Sequence, residues 1–485
     1  MMEFLAANLA PVIFASLILF LLAGYPVAFA LAANGIFFGL IGIALDVLPP
    51  ALFQALPERV FGVMNNETLL AVPFFTFMGL ILERSGMAED LLDTIGQLFG
   101  PVRGGLAYAV ILVGAMLAAT TGVVAASVIS MGLISLPIML RHGYDHRLAA
   151  GVITASGTLA QIIPPSLVLI ILADQLGRSV GDLYAAALLP GLLLTGCYAL
   201  FVLAVSIVRP DWAPALPPAA RSLGGRRMAL KVVTVLVPPL GLIFLVLGTI
   251  FLGLATPTEG GAMGATGALA LAILRRRLSW ALLRQAMDST ARLTTFVVFI
   301  LLGARVFSLT FYGVNGHVWV EDLLHHLPGG QLGFLIAVNL LVFVLAFFLD
   351  FFELSFILVP LLAPVAHKLG IDLVWFGVLL AINMQTSFMH PPFGFALFFL
   401  RSVAPPTIRS SDIYWGAVPF VLIQLLMVGL VIAFPHLASS TKPAQAPAGE
   451  VGVESFEPGG AGSGQAMDVD DPGQVFLRQM RGERP

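Results

Sequence analysis

Two stretches of this chain place amide and hydroxyl side chains directly ahead of consecutive prolines. The first is Ser156-Gly157-Thr158-Leu159-Ala160-Gln161-Ile162-Ile163-Pro164-Pro165-Ser166, and the second is Asn383-Met384-Gln385-Thr386-Ser387-Phe388-Met389-His390-Pro391-Pro392-Phe393. A proline has no amide donor and leaves a carbonyl without its helical partner, so two in succession break a helix. In hydrocarbon, freed carbonyls persist only where protein, water or a ligand satisfies them. Such carbonyls, with the side-chain oxygens of Ser156, Asn383 and Thr386, suit a hard cation such as sodium, and the start of a half-helix suits a carboxylate. Either Pro-Pro taken alone could be a kink that only shapes packing. Their recurrence behind polar residues points to a cation and substrate region containing Ser156, Gly157, Thr158, Asn383, Gln385 and Thr386, with Pro164, Pro165, Pro391 and Pro392 as the helix breaks.

Other residues offer an opposing face for such a region. Ala118-Ala119-Thr120-Thr121-Gly122-Val123-Val124-Ala125-Ala126-Ser127 is a run of small residues. It suits a hairpin tip that approaches an ion through Thr120, Thr121 and Gly122, and equally suits close helix packing. Asp350, in Leu349-Asp350-Phe351-Phe352-Glu353, is a carboxylate among aliphatics. It could neutralise a cation, cap a half-helix or pair with an arginine. The sodium-ligand candidates are therefore Thr121, Ser156, Asn383 and Thr386. Arg305 lies within an apolar span, where it could meet a substrate carboxylate, pair with an acid or snorkel to the outer surface. His390 could titrate near neutral pH or serve as a packing residue.

The elements that must position these residues are set by composition. Of 485 residues, 59% are hydrophobic and 11% charged, far from the quarter charged of a soluble domain. Apolar runs long enough to cross a bilayer recur up to about Pro435, which excludes a soluble multidomain protein. The net charge of −3 comes from clusters between these runs and gives no indication of nucleic-acid binding. The lone Cys197 can form neither an intrachain disulfide nor a cysteine metal cluster. Residues 4–24 lack a basic leader and a cleavage site, and read as a first span rather than a signal peptide.

Spans are expected at 8–24, 28–48, 68–83, 148–172, 185–207, 232–252, 260–275, 291–312, 373–399 and 414–435. Residues 106–139 and 333–366 are too long for one crossing and suit re-entrant hairpins. The fold class is thus an all-α membrane protein of about ten transmembrane helices plus two hairpins. With hairpins at those places, arginine and lysine collect on one side, among them Arg84, Arg141, Arg147, Arg221, Arg226, Arg227, Lys231 and Arg275 to Arg277. The other side keeps Arg59, Arg178 and Lys368. The positive-inside rule then sends both termini to the periplasm. The tail, 437–485, is rich in Pro, Gly, Ala and Ser and is expected to be disordered and periplasmic.

The chain also repeats itself. Shifted by 227 residues, Pro137 falls on Pro364, Gly143 on Gly370, Asp145 on Asp372, Pro164 on Pro391 and Pro165 on Pro392. Asp182-Leu183-Tyr184 recurs as Asp412-Ile413-Tyr414 slightly further on. The charge map places matched loops on opposite sides, which makes the repeat inverted. The first half is 1–208, with hairpin 106–139 and broken helix 148–172. A cytoplasmic linker, 209–231, leads to the second half, 232–436, with hairpin 333–366 and broken helix 373–399.

At these residues the chain resembles the large membrane (permease) subunits of tripartite ATP-independent periplasmic (TRAP) transporters, over about residues 1–436. The motifs are Leu70-Ala71-Val72-Pro73-Phe74-Phe75 with Phe77-Met78-Gly79, the segment 155–166, Ala255-Thr256-Pro257-Thr258-Glu259, and Pro391-Pro392-Phe393-Gly394. Glu83-Arg84-Ser85-Gly86, Asp350 to Glu353 and Gln385 to Phe388 are similar to the mannitol/chloroaromatic-compound or 2-oxo-acid branch. The resemblance implies sodium-driven elevator uptake of small organic anions, such as carboxylates, at the bacterial inner membrane. It also implies a small four-helix membrane subunit and a periplasmic substrate-binding protein, with sodium as coupling ion and no other cofactor. Where the family has Thr, this chain has His390, and Arg305 is foreign to the family's helix. The alternatives are a binding-protein-independent sodium or proton/carboxylate symporter and, less in keeping with an inverted repeat of broken helices, an ion channel. No Gly-Lys-Ser/Thr loop for direct ATP drive and no His-Glu-x-x-His helix of a metalloenzyme is present, so no enzymatic activity is expected.

Overall fold

The computed structural model describes residues 8–22, 24–121, 124–218, 221, 224–325, 327–391 and 394–438. Its first half comprises α1 (Leu9–Leu22), α2 (Val27–Ala44), α3 (Leu56–Met64), α4 (Ala71–Arg84), α5 (Met87–Phe99), α6 (Gly105–Thr121), α7 (Val124–Arg141), α8 (His146–Thr158), α9 (Leu167–Leu176) and α10 (Val180–Val208). The second half comprises α11 (Gly225–Phe251), α12 (Pro257–Leu274), α13 (Trp280–Gly313), α14 (Gly316–His325), α15 (Gly330–Leu345), α16 (Phe351–Ile357), α17 (Val359–Lys368), α18 (Leu373–Gln385), α19 (Phe395–Val403) and α20 (Ser410–Ala433). No strand occurs among the described residues.

Helix starts and stops follow from local chemistry, and the same devices recur in both halves. Gly143 and Gly370 take positive φ, a conformation nearly free of cost only for glycine. Each is followed two residues later by an aspartate that caps the next helix: Asp145 accepts from the amides of Arg147 and Leu148, and Asp372 from that of Trp375. Thr256, Pro257 and Glu259 form a reciprocal capping box with proline in the first turn, which accounts for a motif whose role composition alone leaves undecided. Asp350 and Glu353 form a second box at the start of α16.

Once inserted, apolar side chains gain little from leaving lipid, so close packing at small residues carries much of the association. A Cβ on Gly35 would lie 2.8 Å from Phe307 Cα, and one on Gly264 would lie 2.5 Å from Met78 Sδ. Helix α2 packs along α13 and α4 along α12, so each half lends a helix to the other. The same exchange joins α8 to α20 and α18 to α10, and then α9 to α18 and α19 to α8. Around the breaks this packing is tight: Leu148 to Thr158 and Phe376 to Gln385 are all buried. Helices α10 and α11 instead expose Leu192, Leu200, Phe244 and Leu245, as lipid-facing helices do.

The expected spans are present with revised limits. Among the described residues, six helices are long and apolar enough to cross a membrane on their own, and 50–84 and 351–368 are pairs bent by 44° and 53°. The 148–172 and 373–399 segments are broken as expected. The 291–312 span is part of a 34-residue helix beginning at Trp280, about 51 Å long. Charged Arg284 and Asp288 lie ahead of the expected start, and a helix that emerges from the bilayer tolerates them. Both hairpins have two helical arms, α6 with α7 and α15 with α16 and α17. Helix α5 is not among the expected spans because Glu89, Asp90 and Asp93 interrupt its apolar sequence, although Met87, Ala88, Leu91, Leu92 and Ile95 form a buried stripe.

Polar contacts between distant segments sort into two ends. At one, Lys231 pairs with Asp93 at 2.6 Å, Arg275 with Asp90 at 3.5 Å and Arg147 with Asp412 at 3.8 Å. Arg84 there donates to Gln285 and Ser289, and the linker carbonyls of Trp212 and Ala213 accept from Asp145 and Gly104. Burial would raise the Asp93 carboxyl, but hydrogen bonds from Lys231 and Gln97 hold it below its ordinary value. At the other end Asn66 donates to Asp174, Thr258 to the Glu67 carbonyl, and Lys368 pairs with Glu321 at 2.6 Å. Exposed pairs are worth about 0–1 kcal/mol each, so they mark which loops meet rather than hold the fold. The tail from Ser439 onward lies outside the described residues.

Candidate functional site

Both broken helices stop in the same way. After Thr158 and after Gln385 the chain makes one 3-10 turn, Leu159–Gln161 and Thr386–Phe388, and then loses helical geometry. The two stops meet: Gln385 Nε2 donates to Thr158 Oγ1 at 3.0 Å, across a separation of 227 residues. A bond between matched positions places the pseudo-twofold axis between them. Thr158 Oγ1 in turn donates to the Ala155 carbonyl at 2.8 Å.

Around this bond the side-chain oxygens are poorly satisfied. Several helical Thr hydroxyls return to a carbonyl one turn earlier, as Thr154, Thr195 and Thr249 do. Ser156 Oγ does not; it and Asn383 Oδ1 are buried and without a hydrogen-bond partner. These two are also matched positions, 0% and 1% exposed. Asn383 is oriented by its amide nitrogen, which donates to the Asn339 carbonyl at 2.7 Å and side-chain oxygen at 2.9 Å. Gln161 Oε1, Gln385 Oε1, Ser387 Oγ and Gln424 Oε1 are likewise buried and unpartnered. Each costs about 1–3 kcal/mol if nothing pairs with it. A set of oxygens of this kind, with few competing donors, is what a hard cation takes.

The remaining sequence candidates fall as follows. Gly157 is buried where α7 crosses α8, its Cβ direction 3.3 Å from the Val128 backbone. Thr386 Oγ1 donates to the Asn383 carbonyl at 2.7 Å. Asp350 caps α16: its Oδ1 accepts from the Glu353 amide at 3.0 Å and Glu353 Oε2 accepts from the Asp350 amide at 3.1 Å. Arg305 is half-buried on α13, and no ion pair to it exists among the described residues. Pro164 and Pro391 lie in the irregular segments and Pro165 precedes Ser166, the cap of α9. The Thr120 and Thr121 side chains, Gly122 and Pro392 lie outside the described residues. Asn339 and Gln424 are site neighbours that the Pro-Pro motif did not reveal. Each is an amide within an apolar helix, where a polar side chain is unusual.

The comparisons with known proteins decide what this arrangement belongs to. The family model described as "Tripartite ATP-independent periplasmic transporter, DctM component" matches residues 14–437. The chain belongs to this family. It is 30% identical over 404 residues to the C4-dicarboxylate TRAP transporter large permease protein DctM of Pseudomonas aeruginosa, covering 81% of this chain and 91% of that protein. It is 29% identical to the sialic acid TRAP transporter large permease protein SiaM of Vibrio cholerae, over 86% and 94% of the two chains. It is 28% identical to the ectoine/5-hydroxyectoine TRAP transporter large permease protein UehC of Ruegeria pomeroyi, over 89% and 98%. The crystal structure of the Alcanivorax borkumensis YdaH transporter shares the fold, with a TM-score of 0.58 and 18% identity over 80% of this chain and 90% of that one. The permease is therefore a multi-pass protein of the bacterial inner membrane, one component of a tripartite transporter, and a transporter rather than an enzyme.

Proposed function

We propose that the permease imports a small organic anion, a carboxylate in its simplest form, in symport with sodium. The observation that supports this reading is the matched pair of unpartnered, buried oxygens, Ser156 Oγ and Asn383 Oδ1, one at each break. In this reading each break and the hairpin tip facing it holds a sodium ion, with Ser156 and Thr121 on one side and Asn383 and Thr386 on the other. Helix-break carbonyls complete the coordination, and Asp350 keeps the second tip folded. The hairpins and broken helices, α6 to α10 and α15 to α20, move as one body against a scaffold of α1 to α4 and α11 to α13. A periplasmic binding protein delivers the anion, and a small four-helix subunit enlarges the scaffold.

The test is uptake into vesicles that hold both membrane subunits, with the binding protein added outside and sodium and proton gradients imposed independently. Uptake should follow the sodium gradient, need no ATP, and lose its sodium activation in Ser156→Ala and Asn383→Leu. Uptake that follows the proton gradient and ignores sodium would overturn the reading.

A further inference from the structure

The outer end of α13 gathers cationic groups that the two breaks do not use. Arg305 is half-buried there, two turns before Tyr312 and on the same face of the helix. Helix α3, which carries Arg59, packs against α13. The charges of Arg305 and Arg59 both reach the Tyr312 hydroxyl. That hydroxyl donates to the Pro360 carbonyl of α17 at 3.2 Å. The Tyr312 ring stacks on His317 of α14, with centroids 4.8 Å apart and planes 16° apart. Tyr312 therefore stands where α3, α13 and α14 meet the second arm of the second hairpin.

The acidic groups nearby do not neutralise these cations. Glu321 pairs with Lys368 at 2.6 Å. Glu58 precedes Arg59 on α3, and adjacent residues of a helix do not face each other. Neither Arg59 nor Arg305 forms an ion pair among the described residues. His317 Nδ1 is buried and has no hydrogen-bond partner. A neutral phenol cannot balance two guanidiniums, and like charges in a poorly solvated place repel. Snorkelling to a lipid phosphate would relieve an arginine on a lipid-facing surface. Here the two charges converge on a hydroxyl that is bonded to the hairpin backbone, which is the protein side of α13.

We propose that Arg59, Arg305 and His317 form a receiving site at the outer end, which takes the carboxylate of the transported anion before it reaches the breaks. This rests on the organic-anion reading above and deepens it by naming where the anion first meets the permease. Guanidiniums present paired N–H donors to the two oxygens of a carboxylate, and an imidazole N–H supplies a further donor. An anion held there lies between α13 and the second hairpin, the two bodies that the proposed motion separates.

Phenylglyoxal, which modifies accessible guanidiniums, tests this on purified permease in phosphatidylcholine nanodiscs, with modified peptides quantified by mass spectrometry. Acetate, pyruvate and succinate are compared with chloride at equal ionic strength. At least one carboxylate should slow modification of the exposed Arg59 saturably and leave the exposed Arg226, at the opposite end, unchanged. In Arg305→Gln the half-protecting concentration should rise roughly tenfold or more. Arg305→Lys keeps the charge without the paired donors and should lose less. Unfolding temperatures without carboxylate report that both variants are folded, and the wild-type measurement needs neither. Arg59 that no carboxylate protects, or protection that Arg305→Gln leaves unchanged, would overturn the proposal. Protection by phosphatidylglycerol in the bilayer and by no carboxylate would assign the cluster to a lipid phosphate, and overturns it as well. A carboxylate that is taken up without protecting Arg59 counts against this site alone, whereas carboxylates that protect Arg59 but are never taken up count against the organic-anion reading.

Discussion

At the scale of single residues, the informative feature is which polar atoms find partners. Thr158 and Gln385 find each other, whereas Ser156 and Asn383, two residues before them, find none for one oxygen each. The contrast carries a prediction. Thr158→Val and Gln385→Leu should be non-additive in a double-mutant cycle on unfolding in micelles, with a coupling of about 0.6 kcal/mol, the usual worth of such a bond within a membrane protein. Strictly additive losses would mean that the bond does not join the halves. Asp350 illustrates the opposite lesson. A carboxylate in an apolar run invites a functional reading, yet Asp-x-x-Glu ahead of a helix is also a capping signature, and that is the role its hydrogen bonds give it.

At the scale of elements, the halves are matched in position but not in what touches each crossing. Gly35 meets the Phe307 backbone, which cannot yield, while Gly264 meets the end of the flexible Met78 side chain. Gly35→Ala should therefore cost about 1–3 kcal/mol by forcing α2 from α13, whereas Gly264→Ala should cost less because methionine adapts. Melting temperatures of the two variants in the same detergent check this; equal losses would show that the difference in neighbours does not matter. Helices α2 with α13 and α4 with α12 tie one half to the other.

For the whole molecule, the question is which end faces which compartment. The linker and the basic loops meet at one end, and Glu321 and Lys368 meet at the other. With Cys197 replaced by Ser, a cysteine at Arg226 should react with an impermeant maleimide only after the inner membrane is opened, and one at Glu321 should react in intact cells. Labelling in the reverse order would invert the topology. Relatives of similar identity carry names for C4-dicarboxylates, sialic acid and ectoines. Overall resemblance therefore does not choose among ligands.

The sequence by itself determined the membrane class, the inverted repeat, both breaks and both hairpins. These depend on local properties: apolar length, the geometry of Pro-Pro and Asp caps, and the spacing of matched residues. Ser156, Thr158, Asn383 and Gln385 were legible because polar residues before a break are conspicuous in apolar sequence. The start of α13 was not, since a helix leaving the bilayer no longer needs apolar residues. Nor could sequence tell that Thr158 bonds to Gln385 while Ser156 Oγ and Asn383 Oδ1 have no hydrogen-bond partner. Those facts depend on which side chains meet across the pseudo-twofold axis, and segments 227 residues apart come together only when both halves have packed.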